Sequence, residues 1–253
     1  MAQPTPNALR DLALRLLPLL DLTRLGDDDT PQQIETLCTA ALAAKPSPAA
    51  VCVFPEHVTT ARRVLGDAAV RVATVVNFPE GQGSPQRIQR EARRAIAAGA
   101  DEIDMVLDYQ AVLLGDLERA REGVIACREA CADGIALKLI LETGALADAA
   151  LIRQASQIGI DAGVDFLKTS TGKVAVNATL PAVAAMLDAI EASGGRCGLK
   201  ISGGLRTLDD AAPYLAFVDA RMGADWATSD HFRIGASALF TALLDALHGH
   251  DCP

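Results

Sequence analysis

Eight short apolar runs punctuate the chain: Leu17–Leu22, Ala50–Phe54, Arg71–Val76, Glu102–Leu107, Ala136–Leu141, Val164–Lys168, Cys197–Ile201 and Phe232–Gly235. They recur every 20 to 35 residues or so, the length of one strand, one helix and two loops. Eight strand–helix units in 253 residues predict a single-domain (β/α)8 TIM barrel over 1–253. A doubly wound open sheet is the alternative. Five or six units would suit it better, and no GxGxxG follows the first run to suggest a dinucleotide fold.

The intervening segments carry helix signals. Thr30-Pro31-Gln32-Gln33 offers an N-cap, a proline at the first helical position and a glutamine that completes a capping box. Ser84-Pro85 repeats the opening, and Thr207-Leu208-Asp209-Asp210 places acid in a first turn, where the helix dipole favours it. Helices are predicted over Pro31–Ala44, Pro85–Ala98, Leu117–Ala132, Asp148–Ala162, Pro181–Ser193, Leu208–Gly223 and Ala236–Leu247. Pro213 falls inside one of them and predicts a kink or a late start. An extra N-terminal helix over 1–16 is expected to cap the lower end of the barrel, and 248–253 to form a tail.

A net charge of −9 argues against nucleic-acid or anionic-membrane partners. An anionic substrate would need a local positive site. The stretch from Asn7 to Leu20 carries Arg10, Asp11 and Arg15, so it reads as neither a secretory signal nor a membrane span. The six cysteines (Cys38, Cys52, Cys127, Cys131, Cys197 and Cys252) form no CxxC pair and no close-spaced framework. Free thiols and a cytoplasmic location are expected. Cys127 and Cys131, at i and i+4, need only a shared helix face to explain their spacing.

In a barrel, reactive groups come from the C-terminal ends of strands. Asp21 closes the first run, Asp104 lies in the fourth and Lys138 in the fifth. Lys168 closes the sixth, and Lys200 lies near the end of the seventh. Each charge alone could be a strand end reaching solvent. Two lysines and an aspartate at equivalent ends suggest carbonyl chemistry through a Schiff base. An amine attacks a carbonyl only when neutral, and a free lysine has a pKa near ~10.4. A dry setting and a neighbouring cation, such as Lys200 beside Lys168, lower it. Asp104 could shuttle protons, held ionised by Lys138.

Glycine loops form a second constellation. Gly203-Gly204-Leu205-Arg206 follows the seventh run and Gly235-Ala236-Ser237 follows the eighth, where barrels commonly bind phosphate. Thr171-Gly172-Lys173 after the sixth is a third contributor. Cys52 lies in the second run and reads as a core thiol, the alternative being a site-facing thiol that reacts with electrophilic aldehydes. No His/carboxylate spacing suggests zinc, and neither GxSxG nor a P-loop occurs, so no metal and no cofactor are expected.

Four stretches are specific: Ala100-Asp101-Glu102-Ile103-Asp104, Leu137-Lys138-Leu139-Ile140-Leu141-Glu142-Thr143-Gly144, Phe166-Leu167-Lys168-Thr169-Ser170-Thr171-Gly172-Lys173 and Gly223-Ala224-Asp225-Trp226. On these the chain resembles the deoxyribose-phosphate aldolases over nearly its whole length. The resemblance implies a metal-independent class I aldehyde-lyase. It would reversibly cleave 2-deoxy-D-ribose 5-phosphate to acetaldehyde and D-glyceraldehyde 3-phosphate in deoxynucleoside catabolism. It casts Lys168 as the Schiff-base residue, Lys200 as the group that perturbs it, and Asp104 with Lys138 as the proton relay. Asp21 and Thr171 would lie near the sugar. Gly172, Lys173, Gly203, Gly204, Leu205, Arg206, Gly235 and Ser237 would surround the phosphate.

The chain departs from its relatives at three points. Ile201-Ser202 stands in place of Pro-Ala, which reshapes the loop or adds a hydroxyl. Ala238 replaces a second serine, and the tail lacks the terminal tyrosine that some members use in proton transfer. Two competing readings stay open: another Schiff-base aldolase or transaldolase with a different donor, and a non-catalytic sugar-phosphate-binding barrel. Assembly is also open, with a homodimer through helix faces one option.

Overall fold

The computed structural model describes residues 5–131 and 134–249. The first four residues, Ala132 at the end of one predicted helix, and the tail from 250 with His250 and Cys252 lie outside them. Eight parallel strands close into one barrel in chain order, with β1 pairing β8. They are β1 Leu20–Thr23, β2 Ala50–Val53, β3 Arg71–Val76, β4 Glu102–Val106, β5 Ala136–Ile140, β6 Phe166–Lys168, β7 Gly198–Ser202 and β8 Phe232–Ala236.

The helices among the described residues are α1 Pro6–Leu16, α2 Pro31–Ala43, α3 Val58–Leu65, α4 Pro85–Ala97, α5 Tyr109–Leu113 and α6 Leu117–Ala130. After them come α7 Thr143–Leu146, α8 Ala149–Asp161, α9 Leu180–Ala192, α10 Leu208–Met222 and α11 Leu239–His248. The capping chemistry read from the sequence is present. Thr30 and Gln33 form a reciprocal capping box, Thr207 and Asp210 form another, and Ser84 accepts from the Arg87 N–H. Asp148, predicted as a helical residue, is instead the N-cap of α8.

Successive strand side chains point to opposite faces, and the two faces here differ in chemistry. One set, including Leu22, Val53, Val72, Ile103, Leu139, Leu167, Leu199 and Ile234, is buried with the apolar stripes of the helices. Each such side chain contributes about 1.5–3 kcal/mol on burial. The other set points into the barrel. On β2 and β3 it is small and apolar: Ala50, Cys52, Ala73 and Val75 form their own cluster. On the other strands it is charged.

Four expectations need correction. Leu17–Leu19 is a 3-10 turn, and β1 starts at Leu20, because Pro18 favours a tight helical turn and cannot donate to the sheet ladder. Ala236, placed in the last helix, belongs to β8, and the helix begins at Leu239. Pro213 does not delay α10, which starts at Leu208. The N-terminal helix packs on α10 and α11, while the lower mouth of the barrel opens as a cavity of about 490 Å³ lined by Arg71, Glu102, Arg128, Phe166 and Arg233 among others. The short α3, α5 and α7 lie outside the predicted helices.

Candidate active site

A chain of charges fills the barrel. Asp104 on β4 is its centre: Oδ1 accepts from Lys138 at 2.7 Å, and Oδ2 accepts from Lys168 at 2.8 Å and from Lys200 at 2.7 Å. Lys200 also donates to Asp21 at 2.5 Å, and Lys138 sits 2.6 Å from Glu102. Arg233 closes the set, 2.6 Å from Asp21 and 3.0 Å from Glu102, with its guanidinium 5.5 Å from the centre of the Phe166 ring. Strand register brings them together, since Lys168 pairs with Lys200, Lys200 with Arg233, and Asp104 with Lys138.

The set holds four cations (Lys138, Lys168, Lys200 and Arg233) against three carboxylates (Asp21, Glu102 and Asp104). Fully ionised it carries a charge of +1, and loss of one proton balances it. An unbalanced buried charge is costly, and of the three lysines Lys168 holds its proton least tightly. Burial pushes its pKa below the ordinary lysine value, and Lys200 adds to the push while Asp104 opposes it. For Lys200 and Lys138, burial acts the same way but is outweighed. Asp104 and Asp21 hold Lys200 well above the usual range, and Asp104 and Glu102 raise Lys138. Burial favours protonation of Asp104, yet Lys138, Lys168 and Lys200 keep it ionised, far below the carboxylate range.

Lys168 is also the one of the three amines that reaches a cavity. Its side chain is 4% exposed, whereas Lys138 and Lys200 are at 0%. It lines a cavity of about 310 Å³ at the C-terminal ends of β6, β7, β8 and β1. Around that cavity stand Thr171, Gly172 and Lys173 after β6, Ser202, Gly203, Gly204, Leu205 and Arg206 after β7, and Gly235, Ala236, Ser237 and Ala238 leading into α11. Every residue expected around a phosphate is there, and the N-terminus of α11 adds backbone N–H groups and a positive dipole end. Gly203 has φ +87°, and a Cβ on it would lie 2.3 Å from the Asn177 Oδ1. On Gly235 a Cβ would lie 3.1 Å from the Lys200 Cε, so glycine lets β8 pass close to the lysine.

Some placements differ from expectation. Asp21, expected beside the sugar, does not line the cavity; it is buried below it, held by Lys200 and Arg233. Lys173 is tied to the loop after β1, donating to the Leu25 carbonyl at 2.8 Å. The departure at Ser202 adds a hydroxyl that faces the cavity and donates to the Ser170 carbonyl at 2.6 Å. Cys52 is wholly buried inside the barrel, its thiol pKa raised by burial and by Asp104.

Sequence reasoning gave no role to Arg233, Glu102 or Glu142. Arg233 in an apolar run, in phase with Gly235, was the available signal for the first. Glu142 lay within a quoted motif, but only the structure brings it to Thr171.

The family model of the DeoC/LacD family aldolases matches residues 15–239. Among solved structures, a proposed deoxyribose-phosphate aldolase from Toxoplasma gondii in its apo form is 28% identical, with a TM-score of 0.88 over 97% of this chain and 99% of that one. Another from Coccidioides immitis is 31% identical, with a TM-score of 0.77 over 95% of this chain and 87% of its own. The tetrameric deoxyribose phosphate aldolase from Aeropyrum pernix, 23% identical with a TM-score of 0.72 over 96% and 98%, shares the fold. With 225 residues matched, from 15 to 239, the chain belongs to the DeoC/LacD family of aldolases.

Proposed function

We propose that this aldolase cleaves 2-deoxy-D-ribose 5-phosphate through a Schiff base on Lys168. One observation carries the reading: of three buried lysines sharing the Asp104 network, the one that reaches the cavity is the one whose amine is pushed toward neutrality.

The neutral Lys168 Nζ attacks the C1 aldehyde of the open-chain sugar. Proton transfer through Asp104, 2.8 Å from Nζ, assists loss of water from the carbinolamine and leaves an iminium. The C3 hydroxyl gives up its proton to Asp104 or to a water on it. The C2–C3 bond breaks, its electron pair flowing into the iminium to give an enamine, and D-glyceraldehyde 3-phosphate departs. Protonation of the enamine at C2 and hydrolysis release acetaldehyde and restore the amine. In this scheme Asp104 and water carry the proton transfers. The glycine loops and the start of α11 hold the phosphate.

Such an activity belongs to deoxyribose phosphate breakdown. Cys38, Cys52, Cys127, Cys131 and Cys197 are free and buried, which favours a reducing cytoplasm.

The test is borohydride trapping with 2-deoxy-D-ribose 5-phosphate, followed by peptide mapping. A reduced adduct on Lys168, absent in Lys168→Ala along with cleavage, supports the reading. No adduct on folded protein would refute it. Release of a dihydroxyacetone unit from a ketose phosphate, in place of acetaldehyde, would favour a transaldolase-like donor.

A further inference from the structure

Glu142, two residues after the end of β5, is a buried carboxyl with no cation in hydrogen-bonding contact among the described residues. It is 0% exposed, and among the described residues it makes no salt bridge. Its oxygens accept only from Thr171: from the hydroxyl at 2.5 Å and from the backbone N–H at 3.3 Å and 3.4 Å. Its own backbone is left-handed, with φ 54° and ψ 58°, a conformation costly for a residue with a Cβ and found where function demands it. Burial pushes its carboxyl pKa up, opposed by the hydrogen bonds from Thr171 and by the charge of Lys168. The Thr171 it grips lines the cavity, three residues beyond Lys168.

The hydrogen-bond inventory of Thr171 defines what it can do. A hydroxyl has one proton and two lone pairs. The proton goes to Glu142, whose Oε2 accepts it at 2.5 Å. One lone pair accepts from the Lys173 N–H at 3.0 Å. One lone pair is left, and it can only accept. We propose that Glu142 is a positioning residue that fixes the Thr171 hydroxyl as an acceptor, so that Thr171 selects a hydroxyl of the sugar lying between the imine carbon and the phosphate. The inference rests on the Schiff-base reading above, and deepens it by naming what sets the polarity of that contact. A carboxyl replaced by an amide can donate as well as accept, and Thr171 is then free to turn its proton into the cavity.

Imine trapping with acetaldehyde and a cleavage assay, on one set of variants, test this. Acetaldehyde has no hydroxyl, so Lys168 should form its imine with acetaldehyde equally well in the wild-type protein and in Glu142→Gln. With 2-deoxy-D-ribose 5-phosphate, Glu142→Gln should lose about tenfold in kcat/KM, the equivalent of one hydrogen bond at about 1.4 kcal/mol. Thr171→Val should lose at least as much, Thr171→Ser should keep most of the activity, and the double variant Glu142→Gln/Thr171→Val should lose no more than Thr171→Val alone. Equal losses with both aldehydes, or losses that add in the double variant, would overturn the inference while leaving the Schiff base intact. Absence of trapping in the wild-type protein would instead remove the Schiff-base reading, and this inference with it.

Discussion

Replacing Lys200 by methionine should make Lys168 harder to deprotonate, and the size of the effect can be worked from the geometry. Both amines contact the same oxygen of Asp104, at 2.7 Å and 2.8 Å, so they stand no more than about 5.5 Å apart. Two unit charges at that distance repel by about 3 kcal/mol at an effective dielectric of about 20. The charge count points the same way. With Lys200 present, the network is balanced when Lys168 is neutral; without it, balance requires Lys168 to be protonated. Asp104, released from one lysine, also binds the other more tightly. Water entering the vacated space screens part of this, so the trapping rate at neutral pH should fall by about 10- to 100-fold. The assay is borohydride trapping with acetaldehyde as a function of pH. Activity needs the neutral amine, so the rate rises with pH through the pKa of Lys168, and the rise in Lys200→Met should come at higher pH. Lys200→Arg, which keeps the charge, and circular dichroism, which reports folding, are the controls. A profile that stays in place or moves toward acid would refute the electrostatic account of Lys168.

Three further outcomes follow from the same structure. The Arg206 side chain is exposed at the cavity rim, so Arg206→Ala should raise KM for the phosphorylated sugar by about tenfold or more, a charge-assisted bond being worth about 1.5–3 kcal/mol, with little change on 2-deoxyribose. Equal effects on the two sugars would move the phosphate elsewhere. Gly203→Ala should lower thermal stability by about 1–3 kcal/mol, because its φ is positive and the new Cβ meets Asn177; Gly204→Ala, also at positive φ but with no atom within 4 Å, should lose less. Asp21 and Asp104 have lowered pKa values, held down by their lysine and arginine partners against burial. The stability they contribute is full above the unfolded carboxylate value of about 3.9 and is lost as pH falls toward the folded values. Denaturant midpoints should therefore drop below about pH 4, and less steeply in Asp104→Asn.

The barrel was legible because each strand is a short apolar run and each major helix announces itself. Thr30-Pro31, Ser84-Pro85 and Thr207 open helices where their local chemistry says they should. Local signals failed where non-local pairing decides. Ala236 reads as helix but pairs with Leu22 of β1, and Leu17–Leu19 reads as strand but turns at Pro18.

At the site, the sequence by itself determined which reactive groups exist, and that Lys168, Lys200, Asp104 and the glycine loops occupy the ends of strands. Strand parity grouped Glu102 with Asp104 and Phe166 with Lys168, but a period of two does not say which face is inward. Only closure of the barrel decided that. It brought residues up to 212 positions apart, such as Asp21 and Arg233, within hydrogen-bonding distance. It left one lysine in contact with the cavity and two beneath it, and it matched four cations with three carboxylates. The pKa of an amine depends on its dielectric surroundings and on every charge nearby. Those are properties of a volume, and a chain acquires them only when its strands close around one.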